Sequence, residues 1–416
     1  MTSPAIGTVA TGVAHSRSAV ITALGLGQIL AWGSSYYLLA VLARPIADET
    51  GWSLAWVVGG VSLGLLAAAI ASPWVGRAIE HRGGRPILVA SSLLLALGLV
   101  CLSLARSLPA YLGAWSVIGI GMGAGLYDPA FGTLGRLYGT SARSAITMLT
   151  LFGGFASTVC WPLSALFVAE LGWRGACVAY ASLHLVFALP LYWFVLPKER
   201  IKAPVAALAA ASDAVGAQAA PRPAIGRQHV MVGFLATGIT LSAMISTVLS
   251  VHLLTVLQAR GIALAAAVAF GTLIGPCQVG ARLIEMVIAR YHHPIWTKIA
   301  SVVFVALGMI LLCSGLPIIA VALVFYGAGI GLESIARGTL PLALFGPAGY
   351  ATLMGRLAIP SLIAQAASPS IGAFLIDGAG SETMLRVLLV AAGVNVLVAI
   401  TLFALLPRAS RSISAA

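Results

Sequence analysis

Apolar segments of about twenty residues or more recur along the whole chain, and no other feature of the sequence restricts the fold as strongly. Each helical crossing of a bilayer needs about 20 consecutive apolar residues, because its backbone groups must hydrogen-bond within the helix. Of the 416 residues, 60% are hydrophobic and 8% are charged, whereas soluble domains carry roughly 25% charged residues. The alternating pattern of a transmembrane barrel is absent. The sequence therefore predicts an all-α integral membrane protein.

Twelve transmembrane helices are predicted, six in each half of the chain. An Ala-rich stretch with charged ends, residues 198–227, is interpreted as a cytoplasmic linker. It separates an N-terminal six-helix bundle, residues 1–197, from a C-terminal one, residues 228–416. The predicted spans are 18–43, 53–75, 86–105, 109–138, 142–170, 173–196, 228–257, 262–289, 296–314, 318–345, 350–376 and 383–406.

Basic residues in the loops predict the orientation of the chain. Fifteen Lys and Arg residues fall on the side of the N-terminus and five on the opposite side, with Lys298 counted as a loop residue. Because such residues are retained on the cytoplasmic side, we expect both termini in the cytoplasm. Topology also explains the net charge of +12 without a nucleic-acid partner. We expect a monomeric multi-pass protein in the lipid bilayer of a bacterial inner membrane.

Two segments 206 positions apart indicate that one unit occurs twice. Residues 121–134 read GMGAGLYDPAFGTL and residues 327–340 read GAGIGLESIARGTL, identical at eight of fourteen positions. Six predicted spans separate the copies, so the two bundles should be pseudo-symmetric parallel repeats, related by an axis along the membrane normal. Their shared glycines are of the kind that lets helix backbones approach closely.

Ionisable residues distinguish the two copies. A charge near the bilayer centre costs about 2.5–3.5 kcal/mol on insertion scales, so such residues usually face a wet cavity or a partner. Glu333 and Arg337 stand at i and i+4, a favourable spacing for an ion pair on one helix face. Such a pair either locks the tenth helix or has one member for which substrate or a proton competes.

Asp128 in the first copy lies between Tyr127 and Pro129, where proline removes a backbone donor and can kink the helix. An aspartate beside such a break is a candidate for binding a proton. The alternatives are that Asp128 caps the break or pairs with Arg136.

The sequence GRAIEHRGGRP at residues 76–86 resembles the loop between helices two and three of the major facilitator superfamily, G-x-x-x-D-R-x-G-R-R-P. Gly76, Gly83, Arg85 and Pro86 fit this motif, and Glu80 replaces its aspartate. The resemblance implies a secondary transporter in which two bundles rock about a midplane cavity. It also implies cytoplasmic contacts that hold the outward-open state. The residues expected to make them are Glu80, Arg82 and Arg85, with Arg136, and Gly76 and Gly83 belong to the same conformational loop.

Five further segments resemble the monocarboxylate and oxalate/formate transporter branch of that superfamily: residues 45–53, 121–129, 172–174, 275–283 and 345–357. By this resemblance Arg282 matches an arginine of the eighth helix that contacts the substrate carboxylate. Gln278 stands where the monocarboxylate carriers have an aspartate, and the first helix carries aromatic residues such as Tyr37 but no lysine. Both departures affect groups used in proton coupling of the lactate-carrier kind.

Arg282 is the main candidate for binding substrate, because its planar fork suits a carboxylate. The alternatives are a pair with Glu285 or a contact in a cytoplasmic gate. Gln278 lies one turn earlier and shares its face. His252 joins the candidates because the resemblance implies that the seventh helix faces the cavity.

These observations predict a secondary active transporter of a small organic anion of the monocarboxylate type, with protons as a second partner. The first alternative is efflux of amphipathic drugs or of a soft metalloid, the latter using the thiols of Cys160 and Cys277. A non-transporting receptor is the alternative from another class. An enzyme is not expected, because the sequence has no HExxH metal set, and the GxSxG match at residues 60–64 lies within a helix. Neither a cofactor nor a metal is expected.

Overall fold

The computed structural model describes residues 16–199 and 225–406, and every regular element in these ranges is helical. Both chain termini and most of the linker predicted at 198–227 lie outside the described residues. In the first range the helices are α1 (Arg17–Gly33), α2 (Leu39–Thr50), α3 (Leu54–Arg82), α4 (Gly84–Leu104), α5 (Leu108–Gly125), α6 (Tyr127–Tyr138), α7 (Ala142–Gly154), α8 (Ala156–Leu183) and α9 (Leu189–Val195). In the second they are α10 (Ile225–Ala259), α11 (Leu264–Thr272), α12 (Ile274–Ile288), α13 (Pro294–Cys313), α14 (Ile319–Phe345), α15 (Tyr350–Ala379) and α16 (Ser381–Leu405).

Nine stretches within the described ranges are long and apolar enough to cross a membrane. One of them, Leu108–Val195, has 88 residues and as a single helix would be about 130 Å long, far more than the roughly 30 Å of a bilayer core. Backbone breaks divide this stretch, one of them at Gly172, whose φ of 69° and ψ of 172° are not helical. The chain is therefore a multi-pass membrane protein, and the count of twelve spans stays a prediction.

Local sequence explains where the helices of the first half begin and end. The Ser53 side chain accepts from the backbone N–H of Trp56 at the start of α3, and Ser107 accepts from Ala110 at the start of α5, which satisfies one free donor in each first turn. Gly83 separates α3 from α4 with a φ of 83°, a value that favours glycine. This turn belongs to the 76–86 motif, and we call its end of the molecule the predicted cytoplasmic end.

Glycines bring helices into close contact in both halves, and Gly331 among them belongs to the repeat. A Cβ at Gly119 of α5 would lie 2.1 Å from the carbonyl oxygen of Gly64 on α3. A Cβ at Gly331 of α14 would lie 2.5 Å from the carbonyl oxygen of Gln278 on α12. Any larger side chain would therefore force these pairs of backbones apart.

Among the residues that the structure describes, three buried clusters form the core. One of them contains residues of both halves, including Phe131 and Ile146 from the first and Leu340 and Tyr350 from the second. A second cluster is formed by the first half except for Ala366 of α15 among its buried members, and the third is formed by residues of the second half alone. The halves therefore share a core at the predicted cytoplasmic end, and between their separate cores lies a cavity.

Candidate functional site: a cavity between the two halves

A cavity of about 320 Å³ lies between the two halves. Four helices that would otherwise be continuous are interrupted beside it. Discontinuous helices of this kind commonly form the binding sites of membrane transporters. The interruptions are at residues 34–38 between α1 and α2, Leu126 between α5 and α6, Phe155 between α7 and α8, and Leu273 between α11 and α12.

Most of the residues singled out from the sequence as binding or coupling candidates line this cavity. They are Tyr37, Tyr127, Asp128, Gln278, Arg282, Glu333 and Arg337. His252 does not line it, contrary to our expectation. Its Nε2 atom lies 3.0 Å from the carbonyl oxygen of Pro369 on α15, and Gly372 leaves room for the ring, because a Cβ there would lie 2.4 Å from Nε2. The imidazole is therefore occupied within the second half.

Asp128 and Arg337 form an ion pair that joins the two halves. Helix α6 begins after Leu126 and has Asp128 in its first turn, where the helix dipole stabilises a negative charge. Arg337 on α14 donates from Nε to Oδ1 at 2.9 Å and from Nη2 to Oδ2 at 2.7 Å. This two-pronged geometry is the strong form of an arginine–carboxylate contact. The alternative pair of Asp128 with Arg136 is wrong, because Arg136 bonds the Glu199 carboxylate instead.

Glu333 does not pair with Arg337, so the expected i, i+4 ion pair is wrong. Both oxygens of Glu333 accept from the Lys298 ammonium group, at 2.6 and 2.8 Å. Ser301 Oγ donates to the same carboxylate at 2.8 Å. Each member of the predicted pair has found a partner on another helix, since an interhelical partner reaches its charge with better geometry than its neighbour one turn away.

Lys298 is the residue that sequence reasoning missed. The orientation count treats it as a loop residue, whereas its side chain is 2% exposed and lies one turn inside α13. Its Nζ atom also donates to Ser242 Oγ at 3.2 Å and to the carbonyl oxygen of Gly238 at 3.3 Å. Two signals were available: the predicted span 296–314 already includes Lys298, and Pro294 marks a start four residues earlier, because proline is common in the first turn of a helix.

Arg282 is buried at 5% exposure, and its hydrogen-bond partners in the described part of the chain are all neutral. Its Nη1 atom donates to the carbonyl oxygen of Thr150 in the first half at 2.8 Å. Its Nε and Nη2 atoms lie 3.4 Å from the carbonyl oxygen of Gly331 and from Gln278 Oε1. Within residues 16–199 and 225–406, no carboxylate lies within ion-pair distance of Arg282, whereas Arg337 and Lys298 each have one.

The predicted alternative in which Arg282 pairs with Glu285 is wrong. The Glu285 carboxylate accepts from Thr297 Oγ1 at 2.7 Å and lies 3.4 Å from His292 Nε2 and 3.7 Å from Arg143 Nη2. Arg143 belongs to α7, so this cluster also joins the halves, at the predicted cytoplasmic end.

Next to that cluster, His293 caps α13. Its Nδ1 atom accepts from the backbone N–H of Ile295 at 3.2 Å. Burial, together with the neighbouring charges of Arg143 and His292, lowers the pKa of His293 below its ordinary value of 6.5. The neutral form, which can accept the capping hydrogen bond, is therefore favoured in the folded protein.

The 76–86 motif makes contacts with the second half through two of its predicted residues. A Cβ at Gly76 would lie 2.5 Å from the carbonyl oxygen of Ala351 on α15, so the two backbones touch at this point. Glu80 Oε1 accepts from the backbone N–H of Gly349 at 3.3 Å. Arg136 supports this contact by donating to the carbonyl oxygen of Glu80.

The remaining motif residues act within the first half or face outward. The Arg85 guanidinium lies over the Trp193 ring at 5.0 Å, Gly83 forms the α3–α4 turn, and Arg82 is exposed. None of the five cysteines, all of which lie in the described ranges, lines the cavity.

A family model described as the Major Facilitator Superfamily matches residues 24–332. The chain belongs to the major facilitator superfamily. Membership identifies a membrane transporter rather than an enzyme, and it agrees with the apolar helices and the resemblance of the 76–86 motif.

Two curated relatives come from the monocarboxylate branch. Monocarboxylate transporter 11 of Mus musculus is 33% identical over 161 residues, which are 37% of this chain and 35% of the relative. Monocarboxylate transporter 11 of Homo sapiens is 30% identical over 204 residues, 47% of this chain and 41% of the relative. The chain therefore spans less than half of the curated relatives that it matches.

Solved structures share the fold at low sequence identity. A proton:xylose symporter, XylE, bound to 6-bromo-6-deoxy-D-glucose has a TM-score of 0.70 at 13% identity and covers 91% of this chain and 94% of its own. The human organic anion transporter MFSD10 (TETRAN) has a TM-score of 0.70 at 17% identity, covering 92% and 99%. The transporter FucP in its outward conformation has a TM-score of 0.69 at 14% identity, covering 93% and 99%.

Proposed function

We propose that this superfamily member is a secondary transporter that moves a small organic monoanion by alternating access, with Arg282 binding the substrate carboxylate. The observation that carries the proposal is the environment of Arg282. A buried charge without a counter-charge is costly. The Arg282 guanidinium also has five N–H donors, and among the described residues only the hydrogen bond to Thr150 is short. A substrate carboxylate would supply both the missing charge and the missing acceptors.

The charge balance of the cavity favours one negative charge on the substrate. Asp128 and Glu333 offset Arg337 and Lys298 in two ion pairs, which leaves the positive charge of Arg282 unmatched. A monocarboxylate would make the cluster neutral. The names of the two monocarboxylate relatives and of the organic anion transporter that shares the fold support the same class of substrate.

The contacts between the halves support a state that is closed at the predicted cytoplasmic end. Gly76, Glu80, Arg143 and the Asp128–Arg337 pair all touch the opposite half. Opening this end requires these contacts to separate. We propose that Asp128 links the movement to protons, because a protonated carboxyl group no longer holds Arg337 as an ion pair and the two halves can part.

Replacement of Arg282 tests the function directly. The experiment measures uptake of small monocarboxylates, lactate among them, into proteoliposomes and ligand-dependent shifts of the melting temperature. Arg282→Gln should weaken binding on the order of 100-fold, because a charge-assisted contact contributes roughly 1.5–3 kcal/mol. Arg282→Lys is the matched control: it keeps the charge and loses the fork, so it should retain part of the affinity.

Two outcomes would contradict the proposal. Unchanged uptake in Arg282→Gln, with an unchanged melting temperature, removes Arg282 from the site. Ligand-induced stabilisation without uptake by the unaltered protein indicates a receptor rather than a transporter.

A further inference from the structure

Four aromatic side chains of the first half form one wall of the cavity. Trp32 is at the centre of this aromatic wall, with its ring centroid 5.1 Å from that of Tyr127, 5.5 Å from Tyr36 and 6.0 Å from Tyr37. All four line the cavity and are only partly buried. By contrast, Trp115 in the core of the same half is fully buried. The wall therefore presents ring surface to whatever fills the cavity.

The interruption between α1 and α2 turns the two adjacent tyrosines toward the cavity. In a regular helix, Trp32 and Tyr36 would share a face, and Tyr37 would point about 100° away from Tyr36 around the helix axis. Here the chain is wound more loosely, since the backbone N–H of Tyr37 donates to the carbonyl oxygen of Trp32 at 3.0 Å, five residues back. Both tyrosines line the cavity as a result.

The rings of the wall are held in place before any ligand arrives. Trp32 Nε1 donates to Gln28 Oε1 at 3.1 Å, and Gln28 Nε2 donates to the carbonyl oxygen of Gly125 at 2.6 Å. The Tyr127 ring stacks on Phe131 at a centroid distance of 5.2 Å and an interplanar angle of 8°. Rings fixed in this way lose little freedom on binding. Because the indole N–H is already satisfied, Trp32 offers a ligand mainly its π surface.

Tyr127 of the aromatic wall and the guanidinium of Arg282 share one hydrogen-bond acceptor. The Tyr127 hydroxyl donates to the carbonyl oxygen of Thr150 at 3.3 Å, and Arg282 Nη1 donates to the same oxygen at 2.8 Å. The Tyr127 hydroxyl oxygen and Arg282 Nη1 are therefore separated by no more than the sum of these two distances. A carboxylate on Arg282 would bring its substituent against the rings.

The size of the cavity favours a ligand larger than a three-carbon acid. Its volume of about 320 Å³ lies at the lower end of the range for small-molecule sites. A short aliphatic acid would leave much of this space to water. An acid carrying one ring would replace that water with contact to the wall.

We propose that the preferred substrate is an aromatic monocarboxylate, whose carboxylate binds Arg282 while its ring packs against Trp32 and Tyr37. This inference rests on the proposed function and adds a substrate class to it. It also assigns Trp32 and Tyr37 as the residues that select for a ring.

A matched series of ligands tests the inference on the purified full-length chain. Phenylacetate carries ring and charge, cyclohexylacetate a saturated ring of similar size, lactate the charge alone, and phenylacetamide the ring without the charge. Dissociation constants follow from ligand-dependent melting temperatures. We expect phenylacetate to bind up to roughly tenfold more tightly than cyclohexylacetate, the gain typical of aromatic pairs, and more tightly still than lactate.

Variants of the wall should remove this preference for an aromatic ring. Trp32→Leu and Tyr37→Leu should bring phenylacetate and cyclohexylacetate to similar affinities, whereas Trp32→Phe should keep part of the difference. Trp74→Leu is the matched control, because Trp74 is 60% exposed and does not line the cavity. Tyr37→Leu also provides an independent readout if Trp32→Leu fails to fold.

The outcomes separate this inference from the function on which it rests. Equal affinity for phenylacetate and cyclohexylacetate in the unaltered protein overturns aromatic selection and leaves anion transport standing. Phenylacetamide binding as tightly as phenylacetate overturns the role of the charge, and with it the proposed function. Loss of phenylacetate preference in Trp32→Leu and Tyr37→Leu, but not in Trp74→Leu, supports the inference.

Discussion

Asp128→Asn should release the predicted cytoplasmic end of the protein. The asparagine keeps the size of the side chain and removes its charge, which leaves Arg337 without a carboxylate. The perturbation acts on the closed state, because the pair bridges the two halves and separates when they part. It also imitates a protonated Asp128, so it tests the coupling step that we propose.

The structure sets the expected magnitude. Removing one partner of a buried ion pair costs about 3–5 kcal/mol. We take the lower end, about 3 kcal/mol, because the side chains of Arg337 and Asp128 remain 17% and 15% exposed and water can compensate in part. At about 1.4 kcal/mol per tenfold, this shifts the equilibrium on the order of 100-fold, enough to bring a closed-to-open ratio of about 99:1 close to 1:1.

Spin-label distances between the halves would measure this shift. Labels at His81 on α3 and Arg356 on α15, both exposed, report opening of that end in a background without native cysteines. Asp128→Asn should add a longer-distance population. Glu333→Gln is the matched control: it breaks an ion pair within the second half alone, so it should leave the distances unchanged.

The double variant Asp128→Asn with Arg337→Gln checks that the effect belongs to the pair. If the interaction is what holds this end closed, the double variant should open no further than Asp128→Asn alone, because the same contact is lost only once. A distance distribution for Asp128→Asn that matches the unaltered protein would refute the reasoning.

Three further predictions follow from the described contacts. Lys298→Met should destabilise the protein by about 3–5 kcal/mol, because it leaves Glu333 unpaired, and adding Glu333→Gln should restore most of the melting temperature; no recovery would mean that the pair is not the cause. Gly76→Ala should favour the open state at the predicted cytoplasmic end, since its Cβ would lie 2.5 Å from a backbone oxygen of α15. Gly59→Ala is the matched control and should leave this end closed, because its Cβ would meet nothing within 4 Å. Equal spin-label distances in the two variants would contradict the predicted effect of Gly76→Ala. The lowered pKa of His293 means that its contribution to stability is complete above pH 6.5 and is lost as the pH falls through the lowered value. His293→Asn keeps a capping side chain and should reduce the dependence of the melting temperature on pH between pH 5 and about 6.5. An unchanged pH dependence in this variant would exclude His293 as its source.

The sequence was sufficient to predict the class of fold and the family. Long apolar segments with few charges indicate membrane helices, because a charged side chain is costly in hydrocarbon. This cost does not depend on which helices are neighbours. The glycines of the repeat were likewise interpretable as packing positions, and Gly331 does bring the backbones of α14 and α12 into contact. The 76–86 motif pointed to the superfamily that the comparison then showed.

Most of the binding candidates chosen from the sequence do line the cavity, but the sequence assigned the partners of the charged ones incorrectly. The spacing of Glu333 and Arg337 describes one helix in isolation, where a residue one turn away is the nearest partner. In the folded chain, Lys298 and Asp128 approach from other helices with better geometry. The burial of Lys298 could not be predicted from its own segment, because it depends on contacts with Ser242 and Glu333 on two other helices.

What the sequence determined by itself is therefore what each residue carries into the membrane: apolar length, small side chains for close packing, and a few charges that need partners. Only the tertiary structure decided which charges meet, because ion pairing depends on distances of a few ångströms between helices that are distant in the chain. It paired Arg337 with Asp128 and Lys298 with Glu333, and it left Arg282 beside an aromatic wall with no carboxylate of its own among the described residues.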